Sequence, residues 1–197
     1  MKRVLNVGGG NKDVPLPPQY AGFQHVLLDI DPRGSPDILC DARQLMSLEA
    51  AQFDAVLCDH NLEHYYRHDI PKVLAGFSHV LKEGGFADIR VPDISEVMRA
   101  SLARGLDIDD VLYQSTGGPV RVLDVLYGFS TEIEKTGTDF WCHKTGFTQK
   151  SLSRALLAAG FSKLYGCATA EAFEIEALAF KGKPDDATRA IFKLPQD

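Results

Sequence analysis

The sequence has no run of basic residues, no cysteine pair at C-x-x-C spacing, no apolar stretch of membrane-spanning length, no internal repeat and no low-complexity tract. Each absence removes a class of function. With 21 Lys and Arg against 27 Asp and Glu, the net charge is −6, and the chain carries no electrostatic footprint for nucleic acid. A modified nucleoside stays admissible as a substrate. Cys40, Cys58, Cys142 and Cys167 are widely scattered and read as buried or incidental thiols in a reducing compartment. No h-region precedes the first apolar run, so the expectation is a soluble, cytoplasmic protein with no membrane partner.

What is present suffices for one α/β domain. The 197 residues, 45% of them hydrophobic, can form a full core without disulfides or metal staples. Short apolar runs alternate with helical patterns, which argues for parallel βα units. Strands are expected at 3–7, 25–29, 37–40, 55–58 and 86–91. Ile70, Val73, Leu74, Phe77 and Leu81 fall on one helical face, with Asp69 as N-cap, Pro71 in the first turn and Gly84 as terminator. A second helix is expected over 148–159, stopped by Gly160. Two strand-like runs, 163–168 and 174–181, then flank a polar turn and suggest an antiparallel hairpin closing the sheet. The charged tail after Lys183 is expected to be peripheral, with a short helix around 187–192.

Two features depart from an ordinary doubly wound fold. The 15 residues between Gly10 and Val26 include Pro15, Pro17 and Pro18, which disfavour a crossover helix. The link from Asp31 to Asp37 is shorter and carries Pro32, Gly34 and Pro36. Early crossovers should therefore be loops or single turns. The segment 93–142 is by contrast a generous insertion, with helical patterns near 94–106 and 119–127 and glycines at Gly117 and Gly118.

The most informative stretch is Val4-Leu5-Asn6-Val7-Gly8-Gly9-Gly10, an apolar strand running into three glycines, followed by Val26-Leu27-Leu28-Asp29-Ile30-Asp31. A glycine turn lets a ligand lie against bare backbone. An acid at the tip of the neighbouring strand is placed to accept hydrogen bonds from a ribose diol. Together they imply a nucleoside-containing cofactor over the carboxyl edge of a parallel sheet. A tight turn without ligand is the plain alternative.

These residues resemble the class I S-adenosylmethionine-dependent methyltransferases, specifically the methyltransferase type 11-like group. The resemblance rests on Leu5–Gly10, Leu28-Asp29-Ile30-Asp31, Cys40-Asp41-Ala42, Phe53-Asp54-Ala55-Val56 running into Leu62-Glu63-His64, and Leu81-Lys82-Glu83-Gly84-Gly85. His143-Lys144-Thr145-Gly146-Phe147-Thr148 adds a late piece. It implies a Rossmann-like, mostly parallel α/β sheet with a C-terminal antiparallel hairpin, in a single domain over 1–197 with 93–142 as a substrate lid. It also implies S-adenosylmethionine as cofactor. Gly8 and Gly10 would underlie its methionine end, Asp29 would hold the ribose (Asp31 as second candidate), and Asp41 with the backbone of Ala42 would meet the adenine, with Gly9 and Ile30 also among the cofactor-binding residues. The stretch from Cys58 and Asp59 to His60 would flank the transferring methyl group. The family usually has an acid where Asn6 stands and a third spaced glycine where Lys12 stands; the Asn6 amide oxygen can still accept from an ammonium.

His60-Asn61-Leu62-Glu63-His64 also fits H-x-x-E-H, an inverted zincin signature, which would need both histidines on a helix and a downstream carboxylate. The strand-end context favours the methyltransferase reading, and no metal is expected. His68 extends the same row as a solvated face. His64, His60 and His143, in that order, are the general-base candidates, the alternative for His143 being a backbone-bonded loop residue. Tyr127, Phe129, Phe140 and Trp141 either line a cavity or form the insertion's own core. Asp107, Asp109 and Asp110 read as a solvated loop. The function expected is methyl transfer to a small-molecule acceptor. The alternatives are a nicotinamide-dependent oxidoreductase, which would need a helix N-terminus after the glycines to receive a pyrophosphate, and a non-catalytic cofactor-binding member of the fold.

Overall fold

In the computed structural model, residues 1–169 and 173–195 are described, the side chains of 167–169 excepted. Strand β1 (Arg3–Val7) is the spine, with Val4, Leu5 and Val7 essentially without solvent contact. It pairs in parallel with β2 (Gln24–Asp29) on one side and β4 (Phe53–Asp59) on the other. The short β3 (Ile38–Leu39) adds to β2, and β5 (Leu81–Pro92) adds to β4. The late hairpin of β8 (Lys163–Thr169) and β9 (Glu174–Phe180) joins antiparallel to β5. The sheet order is therefore β3-β2-β1-β4-β5-β9-β8. This is the expected mostly parallel, Rossmann-like sheet, and the order reverses between β1 and β4. Ligands of open α/β sheets bind at such a reversal, outside the carboxyl ends of the strands. The polar turn expected between β8 and β9 falls at 170–172, outside the described residues.

The early crossovers contain no α-helix. Single 3-10 turns at Pro18–Tyr20 and Pro32–Gly34 follow β1 and β2, and a longer one at Ala42–Ser47 follows β3. Proline at the start of the first two fixes φ and gives up an N–H that a longer helix would need. Helix α1 (Ile70–Val80) buries Ile70, Val73, Leu74, Phe77 and Val80 against the sheet. Gly76 lets it close on the 42–47 turn, because a Cβ there would press into Leu45. Removing the Phe77 ring from this layer would cost about 3–5 kcal/mol.

Two details of α1 differ from expectation. Gly84 does not end it; the helix stops at Val80, and Gly84 sits four residues later at φ +75° in the irregular start of β5. Asp69 occupies the N-cap position without accepting a cap hydrogen bond, because Arg43 and Lys72 take its carboxylate. Helix α5 (Gln149–Ala158) falls within its expected range and buries Leu152 and Leu156, with Thr148 accepting from Ser151 N–H as a true N-cap and Gly160 at φ +91° beyond the end.

The insertion holds α2 (Ile94–Arg104), α3 (Val122–Tyr127) and α4 (Ser130–Thr136), and a hairpin that periodicity did not announce, β6 (Val111–Ser115) with β7 (Gly118–Arg121). Pro119 is thus in a strand, and Thr116-Gly117 forms the hairpin bend. Val97, Ala100, Leu112, Val122 and Val125 of the insertion make a small core with Phe173, the residue before β9. Asp107, Asp109 and Asp110 are exposed, as expected of a solvated loop. The tail is not peripheral. Helix α6 (Asp186–Phe192) sets Phe192 edge-on to Phe86, with ring centres 5.1 Å apart, and Phe192 also meets Tyr20.

Candidate active site

Above the β1/β4 reversal lies a cavity of about 650 Å³. Its floor comes from strand ends. Gly8 and Gly10 end β1 at φ +73° and +67°, a region in which a side chain is strained. Asp29 ends β2 and is 8% exposed. One of its oxygens accepts from Gly10 N–H at 3.0 Å and the other from Asp31 N–H at 2.9 Å. Both turns are thus tied to one carboxylate, which also borders the cavity.

Gly8 and Gly10 play different parts. A Cβ on Gly8 would collide with the Asn61 side chain, which follows β4 and packs across the glycine. A Cβ on Gly10 would meet nothing within 4 Å and would project into open space. Gly34 supports Gly10 from the other side, since a Cβ on Gly34 would strike the Gly10 carbonyl.

The other expected cofactor residues divide between the wall and the layer beneath. Ile30, Asp31 and Asp41 line the cavity. Asp41 is gripped by Arg43, which also reaches Asp69 at 3.3 Å; burial pushes the Asp41 carboxyl up, but the Arg43 hydrogen bonds outweigh it and hold it low. Ala42 and Cys58 are buried in the core and contribute no lining, and burial raises the Cys58 thiol. Asn6 is turned away from the cavity, and its amide donates to His25 Nε2 at 3.2 Å. Gly9 lies over Asn6, where a Cβ would strike the Asn6 amide. Lys12, in place of a glycine, pairs with Asp37 at 2.5 Å and ties the first loop to the chain entering β3. Asp59 pairs with Arg90 at 3.3 Å.

The histidines separate by environment. His60 has the left-handed φ of +48°, uncommon without a glycine. Its Nε2 lies 3.1 Å from Glu174 and its Nδ1 3.4 Å from Glu63. Burial works against its proton, but the hydrogen bond to Glu174 and the attraction of Glu63 outweigh it and push the pKa up to about 10. His60 is therefore an imidazolium at neutral pH, unsuited to act as a base. His64 lines the cavity and bonds through Nδ1 to the Cys142 carbonyl at 3.0 Å. His143 bonds through Nδ1 to the Val125 carbonyl at 2.8 Å, and burial lowers its pKa. The two rings meet edge to face with centres 5.0 Å apart. The helical zincin geometry is absent: residues 62–64 form a 3-10 turn, and His60 and His64 point to different partners. His68 is exposed and stacks on Tyr66.

The insertion closes the far side. Glu132, Thr136, Asp139, Phe140 and Trp141 line the cavity, whereas Tyr127 and Phe129 are exposed and do not. Sequence reasoning missed Tyr65, Tyr66, Arg43 and Lys144 as wall residues. Lys144 directly follows the His143 that was singled out, and Tyr65 and Tyr66 directly follow His64. Their proximity to these candidates was the available signal.

The open Gly10 cradle beside a carboxylate suits a ligand that presents hydroxyls. The other acids of the lining are matched by cations, Asp31 by Arg33, Asp41 by Arg43, Glu132 by Lys135 and Asp139 by Lys144, which leaves Asp29 as the acid held by backbone N–H groups alone. Residues 5–89 match a family model described as a methyltransferase domain. No curated protein sequence matches the chain. Among solved structures, an Archaeoglobus fulgidus SAM-dependent methyltransferase is 15% identical, with TM-score 0.56 over 91% of this chain and 86% of its own. A Burkholderia thailandensis 1,6-didemethyltoxoflavin-N1-methyltransferase, solved with 1,6-didemethyltoxoflavin and S-adenosylhomocysteine, is 16% identical, with TM-score 0.52 over 93% and 72%. A SAM-dependent methyltransferase of Methanosarcina mazei is 13% identical, with TM-score 0.52 over 90% of each chain. These structures share the fold. The family match takes in the glycine turn and the β2 acid, and together with the shared fold it supports the reading of this chain as an S-adenosylmethionine-dependent methyltransferase.

Proposed function

We propose that the enzyme methylates a small-molecule acceptor held between the β1/β4 strand ends and the lid segment 93–142. The observation that carries this reading is the single cavity wall shared by Asp29 and Gly10 on one side and Phe140 and Trp141 on the other. A volume of about 650 Å³ is in the range of small-ligand sites.

When bound, S-adenosylmethionine supplies an electrophilic methyl group that requires no further activation by the protein. Asp29 and the Gly8–Gly10 turn would hold it, with Ile30, Asp31 and Asp41 nearby. The chain's remaining work is alignment and exclusion of water, worth up to about 7–11 kcal/mol in favourable cases. Phe140 and Trp141 supply apolar wall for both tasks. An acceptor hydroxyl or ammonium must also lose a proton. Of the three histidines, His64 suits this best: its Nδ1 is committed to the Cys142 carbonyl, which leaves the Nε2 lone pair available at the cavity wall.

The nicotinamide alternative lacks support. No helix follows the glycines before the 3-10 turn at Pro18–Tyr20, so no helix N-terminus is available for a pyrophosphate. The test is calorimetry with S-adenosylhomocysteine followed by turnover across a panel of hydroxyl, amine and thiol small molecules. Methylated product from at least one panel member is expected. Cofactor binding with methylation confined to macromolecules would overturn the small-molecule reading.

A further inference from the structure

Glu63 is 1% exposed, and neither of its carboxylate oxygens has a hydrogen-bond partner. Burying a carboxylate is costly unless its charge and both of its oxygens are matched. Its nearest cationic group, His60 Nδ1, stands 3.4 Å away, while the other ring nitrogen of His60 is committed to Glu174 at 3.1 Å. His60 thus faces one oxygen of Glu63 without a hydrogen bond, and the other oxygen is left unmatched.

Two imidazoles answer in an unusual way. His64 and His143 each place Nδ1 within 3.0 Å of a backbone carbonyl, which can only accept. Each Nδ1 must then carry the proton, and each neutral ring keeps its lone pair on Nε2. His143 Nε2 lies 4.0 Å from Glu63 Oε1. A lone pair turned toward a carboxylate has no proton to offer it, so the two repel unless a cation stands between them. One donor atom from each of Glu63, His64 and His143 lies within 4.8 Å of the other two. In a tetrahedral site with bonds near 2.1 Å, donors stand about 3.4 Å apart, so loading asks for a small contraction. The carbonyl that fixes each Nδ1–H is also the usual support of a metal-bound histidine.

We propose that Glu63, His64 and His143 form a binding site for a divalent transition-metal ion of the zinc type. Two imidazole nitrogens and one carboxylate oxygen suit such an ion better than magnesium or calcium, which prefer oxygen throughout. Three protein donors leave a fourth position for water or an oxygen of the acceptor. The site stands on its own residues and does not depend on which acceptor the cavity takes. When the ion is bound, the His64 lone pair is a ligand and no longer a proton acceptor.

The test uses the full chain stripped with a chelator and titrated with Zn²⁺ by calorimetry, with Co²⁺ as a visible-absorbing probe. About one equivalent should bind, with the strong d–d bands of a tetrahedral cobalt site. Zn²⁺ should raise the thermal midpoint, and chelator should reverse the rise. His64→Ala and His143→Ala should each weaken Zn²⁺ binding by about a hundredfold or more, whereas His68→Ala, which alters an exposed ring outside the cluster, should leave it unchanged. Glu63→Gln is the third arm; should it fail to fold, His64→Ala at the cavity wall carries the test. No stoichiometric binding, or binding that survives both histidine substitutions, overturns the proposal. S-adenosylhomocysteine affinity measured on the same samples separates this outcome from failure of the methyltransferase reading, since Asp29 and Gly10 take no part in the ion site.

Discussion

Gly10 N–H donates to Asp29 Oδ2 at 3.0 Å, joining the turn after β1 to the tip of β2 through a carboxylate that is almost fully buried. The same carboxylate holds Asp31 N–H through its other oxygen. Hydrogen bonds to a charged group contribute about 1.5–3 kcal/mol each. Asp29→Ala should therefore lower folding stability by a few kcal/mol and abolish measurable S-adenosylhomocysteine binding. Asp29→Asn retains an acceptor for one of the two bonds. It should fold better than the alanine variant and bind at least about tenfold more weakly than wild type, as followed by denaturant titration and calorimetry.

Gly8 and Gly10 should respond differently to alanine. Gly8→Ala forces a Cβ into Asn61 at a strained φ, so the loss falls on stability, about 1–3 kcal/mol. Adding Asn61→Ala should recover part of that loss by removing the collision, though not the strain. Gly10→Ala meets no protein atom, so the strain remains but the larger loss should be in cofactor affinity. Chemical denaturation and S-adenosylhomocysteine binding on the same variants check the split.

Asp88 is fully buried on β5, accepts from the Tyr20 hydroxyl at 2.8 Å, and is pushed up by burial from 3.8 to about 6. A carboxyl whose folded pKa is raised favours the fold while protonated. Its contribution is complete below the unfolded value and is lost as pH rises through the folded one. Between about pH 4 and about pH 6 the protein should thus lose stability from this group, on the order of 3 kcal/mol. Asp88→Asn should flatten that part of the profile and keep an acceptor for Tyr20. Urea midpoints of both proteins across this window measure the difference.

Trp141 and Phe140 border the cavity from the insertion, while the Gly10–Asp29 clasp belongs to the sheet. Trp141→Ala should raise the acceptor KM by about tenfold, the effect of losing roughly 1.4 kcal/mol of aromatic contact. S-adenosylhomocysteine affinity should change far less. Steady-state kinetics on the first acceptor found, with calorimetry alongside, give the comparison.

The sheet was legible because its strands are short apolar runs punctuated by glycine and proline, and the missing early helices followed from Pro15, Pro17, Pro18, Pro32 and Pro36. The hairpin of β6 and β7 was not, because Val111–Ser115 is too short and mixed to declare a period, and Pro119 suggested a helix start. Gly8 and Gly10 could be found because their positive φ favours glycine, and Asp29 because an acid at the tip of an apolar strand stands out. Asn6 could not be placed: its neighbour His25 is 19 positions away, and which face an amide turns to depends on packing. The meeting of His143 with Glu63 depends on the insertion's return path, which no local pattern encodes.

One layer of this protein is assembled from opposite ends of the chain. Where the missing first crossover would have laid a helix, Tyr20 and Phe23 come from the proline loop and Phe192 and Leu194 from the last turns, against Phe86 and Phe180. Cutting the chain after Lys183 would strip aromatic cover from the middle of the sheet on its second face. The strand that carries Asp59 at its tip would then lean on Tyr20 and its loop alone on that face, so the outermost segment helps to hold an edge of the cavity that it never touches.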